Sequence, residues 1–336
     1  MSGILLRSPI YRTVANAPTN SNSTKCTITI DGTLRYTLVK RIQPTETQVW
    51  EIAELCRDYI DITFNGTYTP ETLTVVTVLT THASIDGSGS ALSTNTFPSS
   101  GNDVAYDGYG TWMQGSNPAP KSTLPNWLIS GDPKYTSTNN QYQIFVPAGI
   151  GGSVPYITTS SVLGYSTYST TAINLTGQPS GRTLLINRIA CSKYDIGHKV
   201  TFVNKFGALQ DLWFFLKDTL VTDKKNEEFQ SNTIVNGSYN KNVHSKKVFN
   251  TTSSRKISLS SGYYPEWTNQ WFEQLLLSEQ VWYSRTVFNG ASSESTEVVP
   301  LNVSTSSFTE KTVLNDKLIQ YTFTFDMAFD YINNVR

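Results

Sequence analysis

The chain of 336 residues is 38% hydrophobic and 12% aromatic, with 26 Lys+Arg balanced by 26 Asp+Glu, which excludes a disordered polymer poor in aromatics and rich in unbalanced charge. A net charge of zero offers no basic stripe to a phosphate backbone, so direct binding of nucleic acid is not expected. No apolar run approaches 18 residues and Met1–Pro9 is too short in apolar character for a signal peptide, so the sequence predicts neither a membrane span nor secretion.

Cys26, Cys56 and Cys191 are an odd number of widely spaced thiols, which suits folding in a reducing cytoplasm better than a disulfide framework. The six Asn-x-Ser/Thr sequons, at Asn22, Asn65, Asn174, Asn236, Asn250 and Asn302, are what a chain crowded with Ser, Thr and Asn produces by chance.

Alternation of apolar and polar residues dominates the chain. Thr27–Ile30 and Thr33–Val39 flank Asp31-Gly32, a dipeptide that tolerates the positive φ angles of a two-residue type I′ turn, and so predict a hairpin. From Val49, the residues Ile52, Ala53, Leu55, Cys56, Tyr59 and Ile60 recur at helical spacing and predict a short helix ending before Asp61. Leu73–Leu79 is a β-branched strand. Residues 83–140 are rich in Ser, Gly, Thr, Asn and Pro yet carry Tyr106, Tyr109, Trp112 and Trp127, which predicts a long ordered loop insertion whose aromatics bury surface against other subunits or the host surface, or else against the β core of its own chain.

A second Ser/Thr-rich stretch, 153–180, precedes Lys199–Phe206 and Leu209–Lys217, a hairpin around Gly207-Ala208 whose block Asp211–Leu216 is strongly apolar. Lys217–Glu228 mixes Asp218, Asp223, Lys224, Lys225, Glu227 and Glu228, the pattern of a solvated strand end or turn. Pro265 suits a first helical turn, and Trp267, Trp271 and Leu275 follow at fourfold steps, predicting a half-buried helix 265–278. Ile319, Tyr321, Phe323, Phe325 and Met327 alternate with polar residues as a late strand. The sequence therefore predicts a mainly β protein of two or more β-sandwich-like domains with two short helices. Residues 1–190 would form an N-terminal β domain containing the 83–140 insertion, and 198–336 a C-terminal β domain with helix 265–278 and Trp213, Phe215, Trp271 and Leu275 in its core.

Catalytic signals are sparse. His82, His198 and His244 have no partners at metal-ligand spacing, so neither a metal nor any other cofactor is expected. Gly149-Ile150-Gly151-Gly152 is followed by no periodic helix that could present N–H groups to a phosphate. Asp86, Asp103 and Asp107 lie among aromatics but read first as turn residues, and substitution of Asp103 or His198 is expected to cost little. No catalytic, cofactor or metal residue is assigned.

Several segments carry a family resemblance. Ile4–Tyr11, Leu34–Lys40, Glu51–Tyr59, Lys205–Phe215, Leu275–Trp282 and Leu314–Tyr321 resemble little-characterised virion structural proteins of tailed bacteriophages, notably marine ones, while 83–180 looks individual. The resemblance implies a non-enzymatic particle component of the tail, baseplate or neck, assembled in the host cytoplasm with other virion proteins as a homo- or hetero-oligomer in a symmetric assembly. The alternative reading is a receptor- or glycan-binding module in which Tyr106, Tyr109, Trp112 and Trp127 stack on sugars of the host surface.

Overall fold

The computed structural model describes residues 3–15, 17–68, 75–118, 141–147, 152–157, 163–168, 172–174, 183–189, 197–288, 294–312 and 318–332. The protein is mainly β, built from several sheets with two short α-helices, as expected.

The first large sheet runs in the order Gly3–Leu5, Asp103–Tyr106, Val75–Ile85, Ser23–Ile30, Thr33–Arg41, and Ala91–Phe97 also pairs with Val75–Ile85. Ser23–Ile30 buries every second residue, Thr24, Cys26, Ile28 and Ile30, because its alternation matches the two-residue repeat of the pleat. The Asp31-Gly32 turn forms as predicted, with φ of 48° and 75°, and the Asp31 carboxylate accepts hydrogen bonds from the N–H (2.8 Å) and hydroxyl (2.9 Å) of Thr77 on the neighbouring strand.

The helix expected from Val49 is shorter than its spacing suggested. Gln48–Glu51 is a strand paired with Tyr11–Val14, and the helix spans Ala53–Arg57. Gln48 and Trp50 are buried while Val49 and Glu51 are exposed, so a strand's period of two competes with the helical period and wins as far as Glu51. The described part of 83–140 is more regular than a loop insertion: it contains the end of Val75–Ile85, the strand Ala91–Phe97 and the strand Asp103–Tyr106, which is buried on both faces. Asp103, expected to tolerate substitution, is fully buried and ion-paired to Arg12.

The second large sheet runs Leu209–Phe214, His198–Val203, Val281–Phe288, Glu294–Val303, Thr322–Met327, Lys246–Ser260, Asp218–Gln230. Its core gathers Phe202, Trp213, Phe214, Phe215, Phe323 and Phe325 with Trp271, Phe272 and Leu275 from the helix Asn269–Leu276. The four expected core residues are all buried. The helix begins later than residue 265, since Glu266–Thr268 forms a 3-10 turn ahead of it. Ile144, Val146 and Ile186, from a small sheet of Gln141–Pro147, Thr183–Ile189 and Ala172–Asn174, belong to this same core. Packing thus joins part of the 1–190 half to the second core.

The two large sheets meet at a tight joint. Leu5, Val104 and Tyr106 pack on Phe206 and Ala208. Gly207, at a φ of 82°, turns its backbone so close to the first sheet that an added Cβ would lie 2.9 Å from both the Asp107 nitrogen and the Tyr106 Cβ. Arg57 donates to Asp107 (2.9 Å) and to Glu279, and Arg7 reaches the same Glu279 (3.0 Å).

Candidate functional site

The most conspicuous surface feature grows from the mixed-charge run after Lys217. Asp218–Gln230 is a strand of 13 residues in which every residue is exposed. With Asp223, Lys224, Lys225, Glu227 and Glu228 distributed over both faces, neither face is apolar enough to sit on a core. The run expected to be a solvated strand end or turn is therefore one edge strand, paired among the described residues on one side, with Lys246–Ser260.

Only Lys256–Ser260 of the partner strand continues into the body of the sheet, through Thr322–Met327. Beyond Lys256 the two strands run on as a free ribbon of about 30 Å, taking a rise of about 3.3 Å over the remaining paired residues. The root is braced: Lys256 lies between Asp223 (3.8 Å) and Asp326 (3.9 Å), the Arg255 guanidinium sits over the Tyr331 ring at 3.3 Å, and the Tyr331 N–H donates to the Ser253 carbonyl. A bulge on the inner strand, opposite Glu227 and Glu228, leaves Phe249 76% exposed. At the free end, Ile234–Val235 and Ser238–Tyr239 form a small hairpin through Asn236-Gly237, with φ of 52° and 76°. Beside it, Ser231, Asn232, Tyr239, Val243 and Lys247 line an open cleft of about 440 Å³. Phe229, Ile234, Tyr239, Val243, Val248 and Phe249 thus crowd the distal part of the arm as exposed apolar side chains.

Of the four aromatics singled out by the sequence, the three that are described do not form one cluster. Tyr106 is fully buried in the joint between the sheets, and burial raises its hydroxyl pKa. Tyr109 is half-buried: its N–H donates to the Lys205 carbonyl (2.8 Å), the Arg7 guanidinium lies 5.1 Å from its ring centre, and burial, helped by the Glu273 charge, pushes its hydroxyl up to about 12. Trp112 is 95% exposed on the 3-10 turn Trp112–Gln114, next to an equally exposed Met113. Trp127 lies outside the described residues. Counting rings did not reveal that Tyr106 sits on a buried strand, and Phe229, Val248 and Phe249 were passed over because no period of two or of 3.6 in their own segments marks them.

Several titratable groups in the body are held by burial and by hydrogen bonds. His82 faces Cys26 across neighbouring strands, with Nε2 and Sγ 4.0 Å apart. Burial, reinforced by Arg12 and Lys40, lowers His82 to about 4, and burial pushes Cys26 up to about 11. A neutral thiol beside a weakly basic imidazole is a poor nucleophile–base pair, since the thiolate is the reactive form. His198 hydrogen-bonds Tyr283 through Nδ1 (2.8 Å), and its pKa is lowered by burial. Asp86 folds back on Ser88 and Ser90, and Asp107 is held by Arg57. Among the described residues, no three His, Cys, Asp or Glu side chains gather as a metal site would require, and no helix is long and apolar enough to cross a membrane.

Comparison of the chain with family models, curated proteins and solved structures finds no match.

Proposed function

We propose that the protein is a structural component of a tailed bacteriophage virion, of the tail, baseplate or neck, and acts by holding subunits together without catalytic turnover. The observation that carries this reading is the braced β arm from Asp218–Gln230 and Lys246–Ser260. A two-stranded ribbon in water is marginal by itself, because its ladder bonds are wet and no core backs it. Here the ribbon also displays apolar side chains at its far end, which adds solvation cost and contributes nothing to the core of its own chain. Both features acquire a purpose if a neighbouring subunit covers the arm. The sequence resemblance to virion proteins supports the same reading.

Removing residues 226–251 and joining Lys225 to Thr252, which face each other in the ladder, through an Asn-Gly turn tests it. The shortened chain should melt like the parent and fail to enter purified particles, as read by mass spectrometry of the particles. Incorporation at the parental stoichiometry would overturn the proposal.

A second reading, attachment to a host-surface glycan, draws support from Trp112 among the described aromatics, because a fully exposed indole can stack on a sugar ring. Unchanged adhesion of the Trp112→Ala protein to host cells would remove it.

A further inference from the structure

The outer strand of the arm carries the sequence Lys224-Lys225-Asn226-Glu227-Glu228. We infer that this strand pairs edge to edge with the same strand of a second copy of the chain, antiparallel and centred on Asn226. The inference rests on the assembly reading and deepens it by naming the partner and the register.

Four observations lead there. Asp218–Gln230 is the terminal strand of its sheet, so one row of its backbone N–H and C=O groups is free to continue the ladder. The bulge in this hairpin places the extra residue, Phe249, on the inner strand, which leaves the outer one regular through 223–230. All 13 of its residues are exposed, so a second copy meets no obstruction from the described residues of its own chain. Lys224, Lys225, Glu227 and Glu228 form no ion pair among the described residues, so their charges are available.

Charge order then selects the partner. In an antiparallel ladder, hydrogen-bonded and non-hydrogen-bonded residue pairs alternate, so a two-fold axis must pass between a residue and its own copy. With Asn226 facing Asn226, Lys224 faces Glu228 and Lys225 faces Glu227. Each of these pairs occurs twice, giving four opposite-charge cross-strand contacts. Moving the centre to Lys225 sets Lys225 against itself and Asp223 against Glu227, and moving it to Glu227 sets Glu227 against itself. A parallel, in-register arrangement stacks like on like. Charges on an edge strand ordinarily prevent pairing. This order repels most partners and registers while matching its own reverse, which is how specificity is built from repulsion as well as attraction.

Sedimentation equilibrium of the full chain and three charge variants tests the pairing. The parent should form dimers that weaken as salt is raised. Lys224→Glu/Lys225→Glu and Glu227→Lys/Glu228→Lys should each dimerise about tenfold more weakly or worse, because all four contacts become like-charged. An equimolar mixture of these two variants should recover the dimer. A chain with all four substitutions should dimerise with itself and not with the parent, which shows that lost pairing in the others is not misfolding. A parent that stays monomeric at its highest soluble concentration, variants that dimerise as well as the parent, or a mixture that recovers nothing would each overturn the inference. If pairing fails while removal of 226–251 still excludes the chain from particles, the arm serves assembly through a different protein, so the two readings fail separately.

Discussion

The joint between the two sheets and the arm are made from the same secondary structure and face opposite problems. At the joint, Leu5, Val104, Tyr106 and Ala208 are buried, and Gly207 stands where even a methyl group has no room. On the arm, 13 consecutive residues are exposed and every side chain could be exchanged without touching the core. A β-ladder supplies the backbone hydrogen bonds in both places. The difference is what the side chains meet: their own chain at the joint, and solvent on the arm.

That contrast can be broken or sharpened by measurement. The largest expected effects lie in the body. Trp271→Ala, in the second core, should cost roughly 3–5 kcal/mol in thermal or denaturant unfolding. Asp103→Ala should cost about as much, roughly 3–5 kcal/mol, because it strands the largely buried Arg12 charge, and a loss below about 1 kcal/mol would show that solvent reaches that pair.

A pH titration tests His82. Its pKa is held at about 4 in the fold, against an ordinary 6.5, so its contribution is complete above pH 6.5 and is lost as the pH falls from there towards 4. The full loss amounts to about 3 kcal/mol. Stability measured at pH 7 and pH 5 should therefore differ less in His82→Asn than in the parent, and an unchanged slope would contradict the burial. Gly207→Ala, which combines a collision with an unfavourable φ, should cost roughly 1–3 kcal/mol and loosen the joint. Phe249→Ser, on the arm, should leave unfolding within about 0.5 kcal/mol of the parent. A large loss there would mean that the arm packs on its own chain.

Local chemistry was legible in the sequence and pairing was not. The turn at Asp31-Gly32 and the helical face of Trp271 and Leu275 depend on residues a few positions apart, so spacing revealed them. Gln48–Glu51 was obscured because Val49, Ile52 and Ala53 also satisfy a helical repeat, and only its partner Tyr11–Val14, some forty residues earlier, decides for the strand. Ala91–Phe97 reads as loop by composition, since its Ser, Thr and Asn face water and its order comes from the neighbouring strand. Tyr106 looked like a surface ring because four residues of Asp103–Tyr106 are too few to display a period. The arm's length was hidden for the same reason: a charged stretch is a turn or a strand according to whether residues 246–260 come back beside it.

The strand order of the second sheet also sets a timetable. Lys246–Ser260 reaches the rest of that sheet only through Thr322–Met327, which wedges between it and Glu294–Val303. During synthesis the hairpin of 218–260 is complete some sixty residues before the strand that ties it down emerges. Until then its base is tied to the segment that follows Leu209–Phe214, where the Phe215 and Leu216 N–H groups donate to the Ser261 and Ser260 carbonyls, and the root contact between Arg255 and Tyr331 is equally late. The bracing of the root is therefore made by residues that come late in the chain, Thr322–Met327 and Tyr331. The strand that fixes the base of the arm is thus the one that comes latest in chain order among the described residues.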